Sequence, residues 1–180
     1  MSVNLSARQL QQPGLIAEVA EALQESGLAP EHLILEITES ILMHDAEAAI
    51  GWLQQLKGLG VQLAIDDFGT GYSSLSYLRQ FPVDTLKIDK VFVDGIGNHP
   101  EDAALASAII ELGHTLGLKT VAEGVELDGQ VAKLSKLGCD FGQGYYFARP
   151  LEPQAVEALY ISRTSAMQER TNLRPEASAS

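Results

Sequence analysis

Six short apolar segments, each followed after a turn by a segment of helical period, run along the 180 residues, and this alternation constrains the fold more than any other feature. A strand that leads through a helix into the next strand pairs with it in parallel, by a right-handed crossover. The first strand is read at residues 2–6, Ser-Val-Asn-Leu-Ser. Pro13 fits a helical first turn, and Leu15, Ile16, Val19, Ala20 and Leu23 recur at helical spacing until Gly27. The second strand is Leu33 to Thr38, and a helix follows from about Asp45 to Lys57. A third strand, Val61 to Asp66, precedes a short helix from Ser74 to Arg79. Pro82 then separates that helix from a fourth strand, Thr85 to Asp89. An alanine-rich helix from Asp102 to Leu116, stopped at Gly117, leads to a fifth strand, Lys119 to Val125. A helix from Asp128 to Leu137, a sixth strand from Asp140 to Phe147 and a last helix from Pro153 to Ile161 complete the pattern. The composition then turns polar and small, which predicts a flexible tail over 162–180.

Six such units suit an open doubly wound sheet, whereas a closed parallel barrel needs eight. The pattern alone leaves both open. Polar residues narrow the location of a site. Asn4, Glu36, Asp66, Lys87, Glu123 and Gln143 each lie in, or at the C-terminal end of, a different predicted strand. In a parallel sheet these ends gather on one side, where α/β folds build their sites. An unrelated explanation for Lys87 is a structural ion pair with Asp89 or Asp67.

The stretch Asp66-Asp67-Phe68-Gly69-Thr70-Gly71 concentrates the chemistry. Neighbouring strand residues point to opposite faces, so two adjacent carboxylates share a site only where the strand ends and its backbone turns. Gly69 and Gly71 supply freedom for that turn, and Ser73 or Ser74 is a candidate helix cap. Paired carboxylates suit a hard divalent cation; taken alone, the pair also fits a solvated acidic turn. His32, His44, His99 and His114 fall outside the strand-end set, and Trp52 on an apolar helix face reads as core. Tyr145 and Tyr146 alternate along the last strand, so one of them can face the site.

The composition, 46% hydrophobic, supplies one ordinary core. A net charge of −12 disfavours nucleic-acid polymers as partners, since they bind to basic surfaces. No apolar run is long enough to cross a membrane, and the start lacks the basic and apolar regions of a signal peptide. A single cysteine, Cys139, reads as a packing residue and fits a reducing, cytoplasmic setting.

Six motifs together resemble the EAL domain, the cyclic di-GMP phosphodiesterase family of bacterial second-messenger signalling. They are VNLSARQL at Val3 to Leu10, LEITES at Leu35 to Ser40 and DDFGTGYSSLSYL at Asp66 to Leu78. PVDTLKID at Pro82 to Asp89, AEGVE at Ala122 to Glu126 and GCDFGQGYYFARPL at Gly138 to Leu151 complete the set. The resemblance implies a modified TIM barrel with one strand reversed, here a partial one of about six βα units, with the domain over 1–161. It implies that Asn4, Glu36 and Asp66 ligate one Mg²⁺ or Mn²⁺ and that Asp67 holds a second, with Glu123 close by. Lys87 would orient or help deprotonate the attacking water, and Gln143 would position water or substrate. Glu39 would anchor the Asp67-to-Ser74 loop, which in the family couples the site to dimerisation, while Asp89 and Glu126 support the same region.

The family's opening segment, which carries a signature Glu-Ala-Leu on an early strand, has no counterpart in these motifs. The chain is therefore expected to be part of a longer protein, which can carry sensory or cyclase domains, and on its own to oligomerise, to fold loosely or to need a segment from elsewhere. Two functions follow from the resemblance. One is hydrolysis of cyclic di-GMP to pGpG with two bound cations. The other is a catalytically impaired remnant that binds cyclic di-GMP or a protein partner.

Overall fold

A computed structural model of the chain describes residues 1–71, 74–97 and 99–156. The chain divides into two compact units, Met1–Phe147 and Ala148–Ser180. In the second, residues 153–156 are helical, as expected for the start of the last helix. The rest of that helix and the tail expected over 162–180 lie outside the described residues.

The first unit contains β1 (Ser2–Asn4), β2 (Ile34–Thr38), β3 (Gln62–Phe68), β4 (Thr85–Ile88), β5 (Lys119–Ala122) and β6 (Phe141–Gly142). They form one sheet in chain order, and all five pairings are parallel. A doubly wound sheet reverses its strand order at a switch point. Neighbours that follow chain order throughout instead make the wall of a barrel, and these six strands form a half-barrel. None of the six is the reversed strand that the resemblance implies.

The crossovers are α1 (Ala7–Leu10), α2 (Leu15–Ser26), α3 (Glu39–His44), α4 (Ala46–Gly58), α5 (Leu75–Leu78), α6 (Lys90–Gly95), α7 (Pro100–Thr115) and α8 (Asp128–Leu137). Three of them, α1, α3 and α6, go beyond the sequence expectation. They are short, so they carry too few apolar repeats to show a period, and each begins within a few residues of its strand. Ser6 caps α1, accepting from the Gln9 N–H, and Asp89 caps α6, accepting from the Val91 N–H at 2.7 Å. Pro13 stands outside α2, whose N-cap is Gly14. Pro100 opens α7, two residues earlier than expected, where a missing N–H costs nothing. Ser74 holds the N-cap position of α5, but its hydroxyl pairs with Ser76 Oγ at 2.7 Å instead of capping. Ser73 lies outside the described residues.

The strand ends also differ from expectation. β5 stops at Ala122, because Gly124 turns the backbone at φ +66. The sixth strand shrinks to two residues. Gln143 still pairs, donating to Ala122 O at 2.8 Å and accepting from Val125 N at 3.0 Å. Beyond it the Gly144 backbone folds onto Val125, and a Cβ at Gly144 would overlap that residue's main chain. β3 runs past Asp66 to Phe68.

Alternation along the strands separates two layers. Leu35, Ile37, Leu63, Ile65, Leu86 and Ile88 are buried in one cluster with Leu15, Leu23, Leu53 and Leu56 of the surrounding helices. Each such side chain contributes about 1.5–3 kcal/mol on burial. Trp52 and Cys139 pack, partly buried, against the core as expected. The intervening positions, Glu36, Asp66 and Lys87, are polar and also buried. Among the described residues no helix is long and apolar enough to cross a membrane. β1 and β6, at the two edges of the sheet, are exposed along their whole lengths.

Candidate active site

A β-bulge brings the two adjacent aspartates to one place. On β3, Ile65 pairs with Leu86 and Phe68 with Ile88, so Asp66 and Asp67 together stand opposite the single residue Lys87. The extra residue breaks the alternation, and Asp67 takes up the change at φ +53, the left-handed region that aspartate tolerates better than most residues. The expectation that the strand ends here is thus corrected. The strand continues, and the bulge turns both carboxyls toward the same region.

Lys87 is buried at the centre of the cluster. Its ammonium reaches Glu36 Oε2 at 2.6 Å, Glu123 Oε1 at 2.8 Å and Asp66 Oδ1 at 2.9 Å, so each of its three N–H groups has a carboxylate partner. Neither Asp89 nor Asp67, the partners considered from sequence, makes this ion pair. Burial works against the lysine's charge, but the hydrogen bonds to Glu123, Glu36 and Asp66 outweigh it and raise its pKa. One ammonium cannot balance the surrounding carboxylates, and the surplus falls on the acids. Burial, with Asp66 beside it, pushes the Glu123 carboxyl up to about 7 against the pull of Lys87. Asp67 is raised by burial, then by repulsion from Asp66 and Asp89, and its carboxyl shares a hydrogen bond with that of Asp89.

The other residues singled out from sequence are distributed around this centre. Glu39, at the start of α3, is 1% exposed, and its Oε2 accepts from the Gly69 N–H at 2.8 Å. It therefore lies under the turn after β3, as an anchor of that loop would. Asp89 joins the site to α6 through its cap. Glu126 pairs with Lys90 at 3.0 Å, outside the carboxylate cluster. Asn4 ends β1 in register with Glu36, but it is exposed and its side chain makes no hydrogen bond among the described residues. Gln143 is held by its backbone, and its side chain is exposed. The structure thus joins Glu36, Asp66 and Glu123 through Lys87, sets Asp67 beside Asp66 and Glu123 with Asp89 next to it, and leaves Asn4 and Gln143 at the two edges. The tripeptide Glu21-Ala22-Leu23 lies within helix α2, away from any strand end.

Sequence reasoning missed Lys90 and Gln130. The Gln130 side chain is buried, accepts from the Glu126 and Leu127 N–H groups at 2.8 Å each, and donates to Val93 O at 3.2 Å. A glutamine in the first turn of a helix carries no signal of such a role. Lys90 directly follows Asp89, and that adjacency was the only available cue.

A divalent cation fits the residues present. Oxygens of Asp66, Asp67 and Glu123 lie within 4.8 Å of one another. They are hard donors, and the carboxyls of Asp67 and Glu123 are raised, first by burial and then by the Asp66 carboxylate beside them, so a cation there would relieve both.

The family model described as EAL domain matches residues 1–150. A bifunctional diguanylate cyclase/cyclic di-GMP phosphodiesterase, MucR of Pseudomonas aeruginosa, is 49% identical over 158 residues, 88% of this chain and 23% of its own length. The chain therefore spans about a quarter of that relative. The solved structure of PaMucR phosphodiesterase in complex with c-di-GMP superposes with a TM-score of 0.84 at 49% identity, covering 86% of this chain and 63% of that one. The calcium/cy-diGMP complex of Klebsiella pneumoniae BlrP1 superposes with a TM-score of 0.77 at 32% identity, over 83% of this chain and 38% of that one. With its strand-end acids in place and the family pattern spanning nearly the whole half-barrel, the chain belongs to the EAL domain family.

Proposed function

We propose that this chain is the catalytic part of a metal-dependent phosphodiesterase that hydrolyses cyclic di-GMP to pGpG. The observation that carries the reading is the bulge-built cluster at the strand ends, where Asp66, Asp67 and Glu123 lie in cation-binding proximity and Glu36, Asp66 and Glu123 pair with one buried lysine. In this reading Asn4, Glu36 and Asp66 ligate one Mg²⁺ or Mn²⁺ and Asp67 holds a second, with Glu123 adjoining both. Bound cations would neutralise the phosphodiester, lower the pKa of a bound water and stabilise the leaving oxygen.

The chain's own residues supply the rest. Lys87 keeps its charge, because three carboxylates favour it. All of its donors are occupied, so it can donate to a water or a phosphate oxygen only when one carboxylate turns away from it. Glu36, Asp66 and Glu123 thereby hold the ammonium at the strand ends without letting it reach solvent. In this reading Gln143, held by its backbone beside the end of β5, positions water or substrate, and Glu39, which accepts from the Gly69 N–H, anchors the loop after β3. By the same reading the chain acts in the bacterial cytoplasm as a homodimer or larger oligomer, and the longer protein around it can carry sensory or cyclase domains, as the bifunctional relative does.

A second reading, binding of cyclic di-GMP without turnover, draws on Asn4, whose strand edge is open and whose side chain is not yet tied to the cluster. The test is turnover of cyclic di-GMP by the purified chain with Mg²⁺ or Mn²⁺, followed by chromatography for pGpG, with Asp66→Asn as control. Turnover abolished in the control supports the enzyme. A folded sample that binds cyclic di-GMP and releases no pGpG supports the binding module.

A further inference from the structure

Lys90 stands beside the site, and neither the fold nor the proposed chemistry has given it a part. We propose that Lys90 is a positioning residue for Glu123, holding the loop Glu123–Glu126 against the first turn of α6; this rests on the phosphodiesterase reading for Glu123's role.

Glu123 is the first residue after β5, and its backbone N–H is bonded to Ile88 O at 3.1 Å. That contact fixes its N–H and the ion pair with Lys87 its carboxylate, and the following residues set the course of its backbone beyond them. Gly124 turns at φ +66, and the Lys90 stem lies directly on it: a Cβ at Gly124 would come within 2.9 Å of Lys90 Cβ and closer still to Cγ and Cδ. Beyond the stem, the ammonium reaches Gly124 O at 3.4 Å, Glu126 Oε1 at 3.0 Å and Asp94 Oδ1 at 2.9 Å. One side chain therefore covers the residue next to Glu123 and grips the loop two residues further on. From the other side, Gln130 holds the Glu126 and Leu127 N–H groups and ties them to Val93 of α6.

Both halves of the acidic cluster are thus referenced to one short helix. Asp67 meets Asp89, the cap of α6, and Glu123 is directed by Lys90, its first residue. An ordinary exposed ion pair would show the same distances. The Lys90 side chain is 45% exposed, and its partners Asp94 and Glu126 are 51% and 46% exposed. Such pairs add little stability, so a positioning role and a merely structural one give different results. Loss of the charge would leave folding unchanged and disturb the site.

The experiment compares the chain with its Lys90→Met and Lys90→Arg variants by urea unfolding, amide hydrogen exchange at Val125 and Glu126, Mn²⁺ affinity by calorimetry, and cyclic di-GMP turnover. Lys90→Met is expected to keep the unfolding midpoint and speed exchange at both amides. It should also lower Mn²⁺ affinity or turnover by about 10-fold or more, the usual effect of removing a group that orients a metal-site ligand. Lys90→Arg should restore most of each loss. Unchanged exchange in Lys90→Met overturns the proposal, as does faster exchange with affinity and turnover intact. If the unmodified chain neither binds Mn²⁺ nor releases pGpG, the phosphodiesterase reading fails instead. The exchange rates then decide Lys90 alone, a rise in Lys90→Met that Lys90→Arg reverses supporting it.

Discussion

Replacing Lys87 by Met tests whether the centre of the site is held by buried charge. Met keeps most of the side-chain volume, so the change removes the ammonium with little cavity. Lys87 is 5% exposed, and its partners Glu36, Asp66 and Glu123 are 9%, 12% and 19% exposed. Removing one member of a buried pair costs about 3–5 kcal/mol, because the remaining charge is left uncompensated. Three pairs do not triple that cost, since the acids relax by taking up protons or turning toward water, Glu123 most readily. The expected loss at pH 7 with chelator present is therefore about 3–5 kcal/mol, a large share of the stability of a single domain. Urea unfolding followed by the fluorescence of Trp52, the one tryptophan, measures it. Adding Glu123→Gln to Lys87→Met removes one of the uncompensated acids, so the double variant should be more stable than Lys87→Met alone. The reasoning is refuted by a loss under about 1 kcal/mol, the range of exposed pairs, or by a double variant in which the two losses simply add.

Four further outcomes follow. Asp140 Oδ2 accepts from Thr120 N, Thr120 Oγ1 and His114 Nε2 at 2.8, 2.8 and 3.0 Å. Burial opposes its charge, but the Thr120 bonds prevail and hold the carboxyl below its ordinary value. A depressed folded pKa contributes stability above the unfolded pKa and loses it as pH falls through the folded one. The unfolding midpoint of the chain should thus exceed that of Asp140→Asn at pH 7, and the gap should close on acidification; a gap independent of pH contradicts the assignment. Gly144→Ala places a Cβ on the Val125 main chain and should cost about 1–3 kcal/mol in urea unfolding, as overpacking does. Glu39→Ala removes the buried carboxylate that accepts from the Gly69 N–H, an expected loss of about 1.5–3 kcal/mol, the range for hydrogen bonds to charged groups, by the same measurement. Among the described residues the exposed edges β1 and β6 face no further strand and offer backbone to other chains, so sedimentation should show association; a sharp monomer with cooperative thermal unfolding tells against it.

Much of the half-barrel was legible because burial follows a period. Leu35 and Ile37 flank Glu36, and Leu63 and Ile65 precede Asp66, so the apolar layer and the polar positions could be separated on paper. The short helices were not legible. α3 and α6 are six residues each, and what defines them is a position directly after a strand and, for α6, the Asp89 cap. The sixth strand was overextended because Phe141, Tyr145 and Phe147 look like strand residues. Three of the four aromatics over 141–147 alternate, yet Gly144 turns the chain onto Val125 after two strand residues.

By itself the sequence determined the strand–helix alternation, the parallel winding and the gathering of Asn4, Glu36, Asp66, Lys87, Glu123 and Gln143 at strand ends, since each depends on local period and chain order. Period and chain order left three things open that the tertiary structure decided, the first of them in favour of the barrel that the family resemblance implied. Chain-order pairing made a barrel wall rather than a doubly wound sheet. A bulge opposite Lys87 put Asp66 and Asp67 together. Lys87 chose Glu36, Asp66 and Glu123, residues from three other parts of the chain, over its sequence neighbour Asp89. The reason is common to all three. Period states which face a residue occupies within its own strand, whereas register and strand order state which residues meet across strands, and those follow from packing the helices and the whole sheet at once.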